Sequence, residues 1–260
     1  MSTNRAAIVT GGAQGIGRAT AHRLAAQSVA ICLVDREEAQ LEATAAELEA
    51  KGAHVERVIA DVTLKSDVEN MASTCLAAFG RIDVLANIAG GAGGRHLHQI
   101  DEIEDDDWEL VVNLNLKSTF MGCRAVVPAM RDQQYGRIVN VSASIAHGWT
   151  GPVDTAGARL VYAAAKSGIL GLTAQLAKDV GVFDITVNAV LPWLTFGDQG
   201  ARIRSKFEAL DTEMRDRILS DAPLGRAAEA DEVAAAIALL ASEDASYISG
   251  QGLPVDGAYR

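Results

Sequence analysis

Tyr162 and Lys166 close the run Tyr162-Ala163-Ala164-Ala165-Lys166. In a helix, residues four apart share one face, and the small alanines between them leave that face open. A free phenol has a pKa near ~10, so about one tyrosine in a thousand is phenolate at neutral pH. A neighbouring cation lowers such a pKa by roughly one to three units. The pair can therefore take a proton from an alcohol, or return one to a carbonyl oxygen. Four tyrosines and six lysines in 260 residues give this spacing by chance roughly one time in ten. Read alone, the spacing is a weak signal, and its plain alternative is a surface pair.

A second group lies near the N-terminus. Thr10-Gly11-Gly12-Ala13-Gln14-Gly15-Ile16-Gly17 joins an apolar run to a helix-like run. Glycines there permit a tight turn and a close approach of backbone to a pyrophosphate, with free helix N–H groups facing the anion. Asp35 ends the next apolar run, 18 residues after Gly17. A carboxylate at that point accepts hydrogen bonds from both adenosine ribose hydroxyls and repels a 2′-phosphate. Gln14 adds no compensating positive charge, so NAD is expected rather than NADP. Arg36 follows at once and can in principle reach a phosphate. Asp35 comes first and decides the reading.

These residues need a scaffold, and the chain alternates short apolar runs with longer helical ones. Strands are expected at 6–10, 29–34, 55–60, 84–87, 137–141, 185–190 and 252–255. Helices are expected at 15–26, 37–51, 66–79, 107–131, 159–180 and 231–241, with Pro128 disturbing the end of the fourth. Such alternation predicts an α/β fold: one Rossmann-type domain over 1–260, a doubly wound parallel sheet of about seven strands with helices on both faces. The charged stretch 196–222 reads as a long connection, and a substrate loop is placed at about 193–225.

Composition removes other classes. The chain carries 23 basic and 34 acidic residues, a net charge of −11. No basic cluster marks a nucleic-acid surface, and the acidic balance disfavours anionic membranes. No uncharged apolar stretch is long enough to span a bilayer. No basic segment followed by a long apolar run opens the chain, so no signal peptide is expected. Cys32, Cys75 and Cys123 lie far apart in apolar surroundings, as reduced, buried thiols do. A cytoplasmic protein is expected. His96, His98 and His147 stand on different loops with no acidic ligand in register, so no metal is expected.

Taken together, the motifs resemble the short-chain dehydrogenase/reductase family, in its short single-domain branch, over essentially the whole chain. The turn Gly11, Gly15, Gly17 looks like the family's cofactor turn. Asp61-Val62 resembles its adenine-contacting pair, and Asn87-Ile88-Ala89-Gly90 its Asn-x-Ala-Gly signature. Asn115 matches its active-site asparagine, and Tyr162 and Lys166 its catalytic pair. Asn188-Ala189-Val190-Leu191-Pro192 resembles the segment lining the nicotinamide pocket. Tyr247-Ile248-Ser249-Gly250-Gln251 and Val255-Asp256-Gly257 match the closing strand region.

The resemblance implies roles. Tyr162 exchanges the proton with substrate oxygen, and Lys166 lowers its pKa and binds the nicotinamide ribose. Asn115 holds a water that extends the proton relay, and a serine after the fifth strand holds the substrate oxygen. Cofactor contacts fall on Gly11, Gln14, Gly15, Ile16, Gly17, Asp35, Arg36, Asp61, Val62, Asn87, Ala89, Gly90, Tyr162, Lys166, Pro192 and Thr195. The partner is a small-molecule alcohol or ketone, and the expected assembly is a homotetramer.

Three departures from the family pattern stand out. Its usual serine position falls on Ala143, flanked by Ser142 and Ser144. Ser144 is favoured, because Ser144-Ile145-Ala146 resembles the family's catalytic serine and its next two residues; Ser142 is the fallback. The stretch from Ser144 to Tyr162 is longer than usual and holds His147, Trp149, Pro152, Asp154 and Arg159. Trp193 replaces the glycine after Pro192, where it would narrow the pocket or stack on a ring; Thr195 comes early, with Gly197 where the family's threonine is expected. Two rival readings are a methyltransferase using S-adenosylmethionine, opposed by Asn115, Tyr162 and Lys166, and a dinucleotide-binding regulator without turnover.

Overall fold

The computed structural model describes residues 5–93, 100–148, 159–198 and 201–259. Apolar side chains alternate between the two faces of each strand, and here both faces are covered. β1 (Ala6–Thr10), β2 (Ala30–Asp35), β3 (Val55–Ile59), β4 (Val84–Asn87), β5 (Gly136–Val141), β6 (Ile185–Pro192) and a closing strand, Gly252–Val255, form one sheet. The order is β3-β2-β1-β4-β5-β6 and then the closing strand, all parallel.

Helices α1 (Gly15–Ala26), α2 (Glu38–Ala50), α3 (Lys65–Phe79), α4 (Asp105–Val112), α5 (Ser118–Gln133) and α6 (Arg159–Val180) connect the strands. Val9, Ile31, Leu33 and Val139 meet Leu24 of α1 and Leu41 of α2 on one face. Ile8, Cys32, Ile138 and Val187 meet Met71 of α3, Val126 of α5 and Ala177 of α6 on the other. Burial of each large side chain contributes about 1.5–3 kcal/mol, and strands covered twice read as continuous apolar runs. Order reverses between β1 and β4, so a crevice opens at their carboxyl ends, where such sheets bind ligands.

Three expectations are corrected. The single helix expected at 107–131 is α4, a π-helical turn (Asn113–Lys117) and α5. A π turn adds one residue to the helical count and re-aims the side chains it carries. α5 runs through Pro128 to Gln133, because Pro128 and Arg124 lie on the exposed face; the carbonyl that Pro128 leaves without a donor can turn to water. The stretch expected as a connection at 196–222 holds β7 (Thr195–Phe196), α7 (Arg202–Glu208) and α8 (Thr212–Ser220). β7 pairs in parallel with β8 (Ala228–Glu229), which leads into α9 (Ala230–Leu240); the closing strand is β9.

Among the described residues, Leu160–Phe183 is long and apolar enough by length and composition to cross a membrane. Here it is α6 and the turn after it, with Val161, Ala165 and Ile169 buried. The three cysteines are free and buried. Burial pushes the Cys123 thiol up to about 12, so it behaves as a small apolar side chain rather than a nucleophile.

Candidate active site

α6 carries Tyr162 and Lys166 to the crevice on one face. Lys166 is 3% exposed and Tyr162 half-buried, with the Lys166 ammonium 5.5 Å from the centre of the Tyr162 ring. Lys166 Nζ donates to the Val141 carbonyl at 2.8 Å. Burial pushes the lysine's pKa down to about 7, because taking an ammonium out of water disfavours its charged form.

Asn115 sits in the π turn, fully buried. Its side-chain amide donates to the carbonyls of Val111 and Gly91 and accepts from the Gly91 N–H. A β-carbon at Gly90 would stand 2.7 Å from Asn115 Oδ1 and 3.4 Å from Lys166 Nζ. Asn87–Gly90, Asn115 and Lys166, far apart in the chain, therefore converge at one point, and only a residue without a side chain fits between them.

The two candidate serines part company. Ser142 Oγ donates to the Lys166 carbonyl at 2.8 Å. Ser144, in a 3-10 turn over Ser144–His147, makes a contact of 3.4 Å with the Leu191 carbonyl, long for a hydroxyl donor. Ser167 Oγ donates to the Ala146 carbonyl.

The glycine turn fits a pyrophosphate. Gln14, the N-cap of α1, makes no side-chain capping bond, and the first turn holds no acidic residue. Its leading N–H groups are left for an external anion. Gly15 has φ +54°, and a β-carbon there would meet nothing within 4 Å, so the backbone faces open space. Thr44 Oγ1 braces the turn by donating to the Ala13 carbonyl, and Ile16 packs on the core. At the β2 tip, Asp35 accepts from the N–H groups of Ala13, Arg36 and Glu37 at 3.1, 2.8 and 3.2 Å. The Arg36 side chain is exposed and pairs with Glu37.

Asp61 accepts from the N–H and hydroxyl of Thr63. Those bonds hold its carboxyl below the usual range, with the Arg36 charge adding to them. Val62 is buried near Thr10 and Ala89. Thr10 Oγ1 accepts from the N–H groups of Ile88 and Ala89, tying β1 to β4 at the crevice. The Asn87 side chain turns inward: it donates to Asn140, which donates to Thr173.

Pro192 ends β6 beside Val255. Trp193 stacks on Tyr259, with ring centroids 5.3 Å apart and planes 16° apart. Thr195 turns its hydroxyl onto the Trp193 carbonyl at 3.1 Å. His147 is exposed. His96, His98, Trp149, Pro152, Asp154 and the Arg159 side chain lie outside the described residues. Sequence reasoning missed Thr44, Asn140, Thr173 and Ser167. Only Ser167, adjoining Lys166, stands beside a motif that could have flagged it.

A family profile described as enoyl-(acyl carrier protein) reductase matches residues 11–260. The chain is 35% identical over 254 residues to subunit BbsD of (2S)-[(R)-hydroxy(phenyl)methyl]succinyl-CoA dehydrogenase of Thauera aromatica, covering 98% of this chain and 96% of that one. It is 34% identical over 251 residues to 3-oxoacyl-[acyl-carrier-protein] reductase FabG of Thermotoga maritima, covering 96% and 95%. The crystal structure of levodione reductase superposes with a TM-score of 0.88 at 33% identity, covering 98% of this chain and 96% of that one.

Proposed function

The chain belongs to the short-chain dehydrogenase/reductase family of oxidoreductases, and we propose that it is an NAD-dependent member acting on a secondary alcohol/ketone pair. The observation that carries this reading is the convergence of Tyr162, Lys166, Asn115 and Gly90 at the end of a cradle that fits a dinucleotide. When bound, the nicotinamide gives or takes the hydride.

The protein's own residues manage the proton and the positions. Tyr162 exchanges a proton with the substrate oxygen. Lys166 holds the counter-charge: a phenolate on Tyr162 favours the ammonium on Lys166, and the two titrate as a pair. The same ammonium would also hold the nicotinamide ribose of a bound cofactor. Ser144, whose hydroxyl is only weakly held, turns to the substrate oxygen; the Ser142 proton is committed to Lys166. Asn115 fixes the Gly90–Gly91 backbone as the floor of the site, and a water held there extends the relay.

Gly11, Gln14, Gly15, Ile16 and Gly17 would cradle the pyrophosphate, and Asp61, Val62, Ala89 and Gly90 would line the adenine and ribose path. Asn87 supports that path from beneath, and Pro192 and Thr195 bound it beyond β6. Asp35 reads the adenosine ribose and favours NAD; the Arg36 side chain is engaged by Glu37. The segment expected as a substrate loop at about 193–225, which carries β7, α7 and α8, is read as the part of a single domain that meets the substrate. The exposed apolar residues Trp108, Phe120, Leu160 and Leu253 support assembly as a homotetramer through α4 to α6 and β9. The acidic surface supports a cytoplasmic setting.

Titrating NADH and NADPH separately by fluorescence, then assaying secondary alcohols with NAD, tests the reading. Tight NADH, weak NADPH and turnover that disappears in Tyr162→Phe, with NADH binding kept, are expected. NADH binding without turnover on any alcohol or ketone would favour the regulator, and full activity in Tyr162→Phe would sink the mechanism.

A further inference from the structure

The end of β5 and the middle of α6 are joined by bonds that run both ways. Lys166 Nζ donates to the Val141 carbonyl at 2.8 Å, and Ser142 Oγ donates to the Lys166 carbonyl at 2.8 Å. Two neighbouring residues at one strand end thus hold the backbone and the side chain of a single helical residue. Both partners are buried, Ser142 at 2% and Lys166 at 3% exposure, so water cannot stand in for either bond. Beside this clasp, Ser167 Oγ donates to the Ala146 carbonyl. Ser144 lies between the two clasps.

We propose that Ser142 is a positioning residue: its hydroxyl locks the end of β5 to the Lys166 backbone, so that the Val141 carbonyl holds the lysine ammonium in place beside Tyr162. The inference rests on the Tyr162–Lys166 chemistry proposed above. A lysine stem has four rotatable bonds, and a single carbonyl acceptor fixes its tip only if that acceptor is fixed relative to the lysine's own backbone. Ser142 supplies that second constraint.

Among the described residues, no ion pair stands in for it. From β5 the ammonium meets the Val141 carbonyl, and the uncharged side chain of Asn115 lies against the same Gly90 that the ammonium approaches. The titratable group beside it is Tyr162 on its own helix. A charge-assisted bond to a carbonyl is about twice as strong as a neutral one, so losing the alignment disfavours the ammonium. With less ammonium at a given pH, the Tyr162 phenolate is less stabilised, and its formation moves to higher pH.

The test compares Ser142→Ala with the parent enzyme. Alcohol oxidation should lose about tenfold in kcat/KM, the scale of one buried hydrogen bond. The rising limb of its pH profile should shift upward by about half a unit or more. The phenolate titration of Tyr162 in cofactor-free protein, read by difference absorbance against Tyr162→Phe, should shift the same way. Should the alanine variant not fold, Ser142→Cys keeps a similar volume with a weak donor and should show a smaller shift of the same sign. A variant with an unmoved profile and an unmoved titration overturns the inference, whatever its rate; that would also be the result if Ser142 itself held the substrate oxygen. If the parent turns over no alcohol, the reading above fails, and the cofactor-free titration still decides the role of Ser142.

Discussion

Gly17 lies against the Gly11 carbonyl so closely that a β-carbon on Gly17 would stand 1.9 Å from that oxygen. The first turn of α1 is thereby folded back over the end of β1, which aims its free N–H groups along the crevice. Gly17→Ala must open this turn, because the obstructing atom is backbone and cannot rotate away. Overpacking of this kind costs roughly 1–3 kcal/mol. The expected result is a folded protein by circular dichroism that binds NADH at least about tenfold more weakly. Unchanged affinity in a fluorescence titration would show that the turn does not hold the cofactor.

Asp35 has two jobs that one substitution separates from each other. Its carboxylate gathers the N–H groups of Ala13, Arg36 and Glu37, joining the β2 tip to the glycine turn. Asp35→Ala should lower stability by about 1 kcal/mol, since the Ala13 N–H, on a buried residue, loses its acceptor, while the exposed Arg36 and Glu37 N–H groups turn to water. It should also reduce discrimination between NADH and NADPH by about tenfold or more, because the repulsion of a 2′-phosphate is gone. Denaturant unfolding reads the first effect and paired cofactor titrations the second. An unchanged cofactor ratio in a destabilised variant would leave Asp35 a purely structural role.

What the sequence makes legible is local. The glycine turn, Asp35 and the Tyr162–Lys166 pair each sit within one turn or one strand end, so residue type and spacing are enough to propose them. Asn115 is legible as a matching residue. Its π turn is not, because the one-residue phase shift it puts into the apolar pattern falls in a stretch where Leu114 and Leu116 alternate with polar residues, and the pattern there fits an uninterrupted helix as well. Choosing between Ser142 and Ser144 needs the packing of α6 on β5, which no residue count supplies. The sequence sets Trp193 against the cofactor pocket or a ring; the ring is Tyr259, at the far end of the chain. It sets Asn87 against the cofactor, whereas the Asn87 amide faces Asn140 in the core beneath.

The contrast between the two serines makes a direct comparison possible. Ser144 is proposed to act on the substrate oxygen in the reaction itself, so Ser144→Ala should lower kcat by about a hundredfold, the typical worth of one such donor. NADH affinity should stay the same, and so should the pH at which turnover rises, since neither Lys166 nor Tyr162 is disturbed. Steady-state kinetics across pH would check this. A Ser144→Ala enzyme with parental kcat would return the role to Ser142 or remove it from both.

Lys166 should also leave a signature on stability. Its folded pKa of about 7 lies below the ordinary lysine value of about 10.4. Below pH 7 the ammonium is charged in both states, and the folded protein carries the full cost of burying it. Between pH 7 and about 10 the unfolded chain binds a proton that the folded chain lacks, so this group's contribution makes stability rise with pH across that window. Lys166→Met keeps an unbranched apolar stem and removes the charge. The cofactor-free variant should therefore melt above the parent at pH 6.5, by roughly 5 °C or more for a domain of this size, and the gap should close as pH approaches 10. A gap that stays constant with pH would mean that the lysine is not poised near neutrality, and that its ammonium is compensated by more than the Val141 carbonyl.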